Sequence, residues 1–284
     1  MTSAFFRTQD SPAGIALIPQ AEAASGWGEG QLRGLAVSSA LAREAERALD
    51  RIGRTDVRPA RWTLDLFRPA RMRLPCTTSA TIVREGRRLC LIDTVLRQDD
   101  RPVARGTALF LAPSRSPAGA VWSGGVQPRP PAPGTPMAPG QHRLYRSADT
   151  GWGAAAQAQN DHRTQIWHEP IPVVEDEPIT PFQLAAGIAD VVNVVANLGG
   201  NGLEFINADI TLALARLPEG DGVGFAAIDR REDAGIAVGT AAAFDRSGVF
   251  GTATVSALAN AHQAVDLPTF FAEPAAHHTP APNR

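Results

Sequence analysis

The chain has 284 residues, with 27 basic against 29 acidic and a formal net charge of −2. Every basic residue is Arg, which excludes chemistry that requires a lysine, such as a Schiff base or a P-loop amine. Near-balanced charge gives no electrostatic footprint for nucleic acid or an anionic membrane, and 44% hydrophobic residues suffice for a sizeable core.

The chain opens with two short strand candidates, FFRTQ and GIALIPQ. A helix is expected from about Gln31 to Leu49, because Leu32, Leu35, Ala36, Leu41, Ala45 and Leu49 recur at helical spacing and Gly53 stands where a stop belongs. Four strand candidates follow, each bounded by turn residues: ARWTLDLF, TTSATIV, RLCLIDTVLRQ and PVARGTALFLA. From Ser114 to Asp149, Pro and Gly are too dense for a helix or a central strand, so the segment reads as an extended crossing.

After it the order repeats. HEPIPVV is an opening strand candidate, and Thr180-Pro181-Phe182-Gln183 is a helix start with a cap, a proline at the first position and a capping-box glutamine. The helix runs through FQLAAGIADVVNVVANL to Gly199-Gly200. Four strand candidates close the module: LEFINADITLALAR, GVGFAAIDRR, GIAVGTAAAFD and VFGTATVSALA. Gln31-Leu32 overlays Gln183-Leu184, and Val103 overlays Val249. The pattern predicts an α+β fold: one antiparallel sheet wrapped round one helix, made twice. The residues from about Phe271 read as a frayed tail.

Cys76 and Cys90 are too few for a Cys-only zinc site or a disulfide scaffold and fit a reduced compartment as small buried residues. Met1 to Gln9 lacks the pattern of a signal peptide, and no apolar stretch reaches the ~20 residues that span a bilayer. A soluble, cytoplasmic protein with no membrane partner is expected.

In these features the chain resembles a tandem hotdog protein of the acyl-CoA thioesterase kind, similar to bacterial thioesterase II. The resemblance is carried by Gly28-Glu29-Gly30-Gln31, RWTLDLFRPARM, REGRRLCLIDTVLRQDDRPVARGTALF, TPFQLAAGIADVVN, FINADITLALAR and FDRSGVFGTATVSAL. It implies an N-terminal hotdog over 1–113, a Pro/Gly-rich linker over 114–160, a C-terminal hotdog over 161–270 and a tail over 271–284. It also implies an acyl-CoA substrate held between the halves, no metal or organic cofactor, and water activated by an Asp on the second helix. In the family that water is held by a hydroxyl or amide residue on the next strand and a Gln on the last one. Hotdogs close open sheet edges by pairing, so a homodimer or higher homo-oligomer is expected.

Asp190 interrupts an otherwise apolar helical run, and a carboxylate there is costly unless paired, hydrated or used. It shares a helix face with Asn193 and Asn197, which read alternatively as the wet face of an amphipathic helix. The resemblance makes Asp190 the general base, and Ser38 holds the matching place in the first helix. Asn207, Asp209 and Thr211 alternate along FINADIT, which puts them on one strand face, either towards the helix or outward as a polar surface. Asn207 matches the water-orienting position, where thioesterase II has a hydroxyl residue.

The last strand departs from the family. Either Val255 or Ser256 stands at the glutamine position; Ser256 would supply a hydroxyl, Val255 nothing, and Thr254 is a neighbour. Loss of one orienting group costs ~10²-fold or more in rate. Gly28 and Gly30 would let the chain approach the thioester at the first helix N-terminus, where free amides polarise its carbonyl. Arg68, Arg71 and Arg73 either meet CoA phosphates or are solvated charges at a strand end. His162 and His168, near Asp161 and Glu169, fit no zinc spacing, and no G-x-S-x-G elbow is present. The expected activity is hydrolysis of an acyl-CoA thioester through Asp190, Asn207 and Ser256. The rivals are an acyl-CoA or acyl-carrier binding protein without turnover and an enoyl-thioester hydratase. The last usually needs an Asp–His pair, and neither helix carries a His.

Overall fold

The computed structural model describes residues 3–11, 14–147 and 150–265. The expected tail, with His277 and His278, and the last residues of the second module lie outside the described residues. Strands β1 (Phe6–Ser11) and β2 (Gly14–Pro19) form a hairpin of their own. Helix α1 (Gly34–Arg51) is followed by β3 (Arg58–Leu66), β4 (Thr77–Gly86), β5 (Leu89–Gln98) and β6 (Arg101–Leu111). Then come β7 (Arg143–Arg146) and β8 (Gln165–His168). The second helical segment is α2 (Pro181–Ile188), a 3₁₀ turn over Ala189–Val191, and α3 (Val192–Asn197). The pair β9 (Leu198–Gly199) and β10 (Gly202–Leu203) precedes β11 (Phe205–Leu214), β12 (Val223–Asp233), β13 (Ile236–Asp245) and β14 (Gly248–Ala259).

Ten strands make one antiparallel sheet in the order β4-β5-β6-β3-β11-β14-β13-β12-β8-β7. The halves join edge to edge where β3 pairs β11, with Leu64 opposite Ile210 and Trp62 opposite Leu212. All four of these side chains are buried under the helices. Alternation along β5, with Cys90, Ile92 and Leu96 buried, shows why this face reads so clearly in the sequence. Both cysteines are buried and free.

Three features depart from expectation. The opening strands of the first module stay outside the large sheet, whereas β8 and β7 extend it beyond β12. β7 falls within the segment expected to be a linker, and HEPIPVV continues no strand past His168. The second helix is not continuous: it tightens to 3₁₀ geometry around Asp190.

A further departure is a bulge in β11. Asn207 lies opposite Ala257, but the next paired residue is Asp209, opposite Ser256. Ala208 is the extra residue, so period-two alternation breaks there. Asn207 turns to the helix face while Asp209 and Thr211 stay on the outer one, which corrects the expectation that all three share a face. The bulge is held by Asp209, whose Oδ1 accepts from the Ser256 amide at 2.7 Å. Replacing Asp209 with Ala strands that amide. The expected cost is about 1–3 kcal/mol in denaturant unfolding, with loss of the Asn207 orientation described below. An unchanged unfolding midpoint would show that Asp209 does not hold the bulge.

Candidate active site

Helices α1 and α2 lie side by side over the join of the two half-sheets, and the N-terminus of α1 abuts Asp190. The N-cap residue Arg33 makes no side-chain cap bond, so the first amides of α1 are left for other partners. The Leu35 amide donates to the Asp190 carboxylate. The approach is so close that a Cβ on Gly34 would sit 2.7 Å from Cγ of Asp190. Gly34 is therefore required by proximity.

Across from the helix end, Asn207 Nδ2 donates to Asp190 Oδ1 at 3.0 Å. Burial pushes the Asp190 pKa above the ordinary carboxylate value; the Asn207 bond, Arg143, the Leu35 amide and Arg33 pull the other way. Arg143 comes from β7 and Arg33 from the residue before α1. Burial, and then Arg143, push the Arg33 pKa down to about 10.

Two lobes open on either side of this cluster, and Ser25, Trp27, Gly34, Asp190 and Asn207 line both. The larger, about 270 Å³, is walled by Leu32, Val37, Leu66, Val103 and Ile206, with Phe67 and Arg68 at its exposed end. The smaller, about 80 Å³, holds Arg33, Arg143 and Asn193 among Val191, Val194 and Leu203.

The structure brings Asp190 and Asn207 together. It does not bring Ser256 to them. Ser256 pairs Asp209 and Val238 on the outer face, the latter 43% exposed, while Val255 and Ala257 point inward. The residue directly opposite Asn207 is Ala257, so no polar side chain of β14 stands beside that amide. Asn193 and Asn197 form no wet face: they are buried, Asn193 donating to the Phe205 carbonyl at 2.9 Å and Asn197 to Asn193 at 2.9 Å. Arg230 closes the chain on Asn197 at 2.8 Å.

Gly28 and Gly30 line neither lobe; the close approach expected there belongs to Gly34, which no spacing signalled. Arg143 was hidden inside the Pro/Gly-rich crossing. Arg68, Arg71 and Arg73 are exposed, Arg68 on the rim of the larger lobe. His168 is buried with Nδ1 against the Glu169 carbonyl, and no group of three or more metal-ligating residues gathers among the described residues.

The matching helix crossing is built differently. Ser38 donates to the Ala186 carbonyl at 2.6 Å and accepts from Trp62 Nε1 at 2.9 Å. Trp62 and Phe110 meet Phe182 edge-on, at 5.9 and 5.8 Å, so aromatic packing fills the place of a second site.

Two substitutions test this geometry. Gly34→Ala should force the α1 end and Asp190 apart and destabilise the fold by about 1–3 kcal/mol in denaturant unfolding. Asp190→Asn keeps an acceptor for Asn207 and removes a buried charge. Because the folded-state pKa is raised, ionisation of Asp190 costs stability above that value and nothing below the unfolded value of about 3.9. The variant should match or exceed the wild-type melting temperature at pH 7, and the difference should vanish as pH falls. A less stable variant at pH 7 would mean that the charge is fully compensated.

Residues 23–111 match the model of the acyl-CoA thioesterase N-terminal domain, and residues 123–259 match that of the acyl-CoA thioesterase C-terminal domain. No curated protein matches the chain. Among solved structures, it is similar to the tesB protein of Mycobacterium avium subs paratuberculosis at 15% identity and a TM-score of 0.60, covering 89% of this chain and 90% of that one. The acyl-CoA thioesterase II TesB2 of Mycobacterium marinum gives 14% identity and 0.60, over 81% and 91%. A conserved hot dog protein of unknown function from Alicyclobacillus acidocaldarius gives 17% and 0.63, over 86% and 92%. These likenesses agree on the fold, two tandem hotdogs sharing one sheet. With both halves matched in order and a single carboxylate site at their seam, the chain belongs to the acyl-CoA thioesterase family.

Proposed function

We propose that this protein hydrolyses an acyl-CoA thioester to the free acid and CoA, with Asp190 as the general base. The observation that carries the reading is the Asp190 carboxylate, half-buried where two lobes meet and hydrogen-bonded to Asn207. Asp190 takes a proton from water as the water oxygen bonds to the thioester carbon. The C–S bond then breaks, and the departing CoA sulfur takes the proton. Asn207 holds Asp190 and, as an amide, can also orient the water. The positive end of α1 faces the place where carbonyl charge develops. Ser256, on the outer face, has no part in this scheme beyond its backbone bond to Asp209.

A second reading is favoured by Ala257. With a methyl group opposite Asn207, the water loses one holder, and the site would bind acyl-CoA with little turnover. Thiol release from short, medium and long acyl-CoAs separates the two. Hydrolysis predicts release that falls at least ~100-fold in both Asp190→Ala and Asp190→Asn. Thermal stabilisation by CoA esters without thiol release supports the binder. Release that survives both substitutions overturns the base assignment.

The pH profile gives an independent check. Asp190 must be ionised, so kcat/KM should rise with pH through a pKa above the ordinary carboxylate value. Arg143 favours the charged form, so Arg143→Gln should move that rise to higher pH. A profile that is flat across the carboxylate range would argue against Asp190.

A further inference from the structure

Gln98 is the last residue of β5, and a tight turn fixes its backbone: Asp99 and Asp100 stand at φ +47° and +59° before β6 begins. Its side chain is 5% exposed and reaches across to the loop that follows β3. There Oε1 accepts from the Arg71 amide at 2.7 Å. Nε2 donates to the carbonyls of Arg71 at 2.7 Å and Leu74 at 2.9 Å, and lies 3.4 Å from Cys76 Sγ. A buried amide is costly unless its groups are paired, and here the pairing is spent on holding one loop.

That loop belongs to the site. Phe67, Arg68, Pro69 and Ala70 wall the larger lobe. The loop then runs beside the segment that precedes α1. The Leu32 amide donates to the Ala70 carbonyl at 2.8 Å, the Met72 amide to the Gly30 carbonyl at 2.8 Å, and Gln31 bridges Arg71. Three residues after Gln31 the chain reaches Gly34, and then Leu35, whose amide donates to Asp190. One side chain therefore pins both the lobe wall and the segment that leads into the N-terminus of α1.

The second module repeats the device away from the site. Asp245, the last residue of β13, is buried and accepts from Arg216 and from the Glu219 amide at 2.8 Å, both in the loop that follows β11. It also accepts from the Ser247 amide at 2.8 Å. None of these partners lines either lobe. A polar pin at this place serves the fold in both halves, but only in the first half does the pinned loop form part of the site.

We infer that Gln98 is a positioning residue for the site, setting the wall of the larger lobe and the place of the α1 N-terminus against Asp190 through the loop that follows β3. The inference rests on the hydrolase reading for its kinetic consequences, whereas the effect on the lobe wall does not require turnover.

The test compares Gln98→Met with Asp245→Asn. Gln98→Met keeps the length of the side chain and loses its hydrogen bonds. A purely structural loss lowers the active fraction and leaves KM and the pH midpoint of kcat/KM unchanged. Displacement of the lobe wall raises KM. Withdrawal of the Leu35 amide leaves Asp190 facing Asn207, Arg33 and Arg143 alone, which moves the rise of kcat/KM to higher pH. For octanoyl-CoA the expected fall in kcat/KM is roughly tenfold to a hundredfold in Gln98→Met, with a raised KM and an upward pH shift. Asp245→Asn should lower the unfolding midpoint and move neither. Gln98→Asn keeps both polar groups on a shorter arm; it should give the same shifts at smaller size, and it carries the test where Gln98→Met does not fold. A shift in either quantity that is absent from Asp245→Asn supports the positioning role. No shift in either, or the same shifts in Asp245→Asn, overturns it. Calorimetry with the non-hydrolysable thioether analogue of octanoyl-CoA keeps the two readings apart. If the wild type releases no thiol, the hydrolase reading fails, yet weaker binding of the thioether in the Gln98 variant and not in Asp245→Asn still supports the pin. Equal binding by the wild type and both variants overturns it.

Discussion

The contact between the Asp190 carboxylate and the N-terminus of α1 constrains the rest of the structure. A carboxylate at a seam between two hydrophobic modules is costly unless it finds donors, and the nearest fixed ones are the uncapped amides of a helix. To reach them, the chain gives up a Cβ at Gly34, where any side chain would overlap the carboxylate. It gives up regular α geometry at Ala189–Val191, where the helix tightens as it delivers Asp190. It also gives up one register of the sheet at Ala208, so that Asn207 can turn inward. Three local irregularities, each unfavourable alone, converge on one carboxyl group.

Duplication explains why this happens once. The tandem halves create two matching places along one helix pair, and each could host a site. In the other, Ser38 replaces the carboxylate and spends its hydroxyl on Ala186 and Trp62. Gly106 has no Cβ, which makes room for the Trp62 ring. One place on the helix pair is closed by packed aromatic rings, and the other keeps a polar cavity.

Strands β3, β5, β6, β11 and β14 are legible from inward positions that alternate with outward ones, β4, β12 and β13 from their bounding turn residues, and the two helices from spacing and the Thr180 cap, whose hydroxyl accepts from the Gln183 amide. Asp190 was legible because a carboxylate in an apolar helix is conspicuous. Asn207 stands out by its chemistry, but simple alternation along the strand would place it with Asp209. A bulge is a one-residue event stabilised across the sheet, and nothing local to FINADIT announces it. The same bulge removed Ser256 from the candidate group, since its pairing with Asp209 fixes it on the outer face. Arg143 could not be found, because it lies in a Pro/Gly-rich crossing whose late strand forms only by pairing with β8.

The last strand adds no polar side chain beside Asn207. The resemblance implies an amide there, at Val255 or Ser256, to hold the water, whereas the register turns Ser256 outward and leaves Val255 and Ala257 inward. A missing neutral hydrogen bond can be offset by field: the α1 amides and two guanidinium groups surround Asp190 in a half-buried space, where electrostatics act more strongly than in water. Such a field favours the ionised carboxylate against the burial that opposes it, and the seam thereby keeps a charge that the surrounding core excludes.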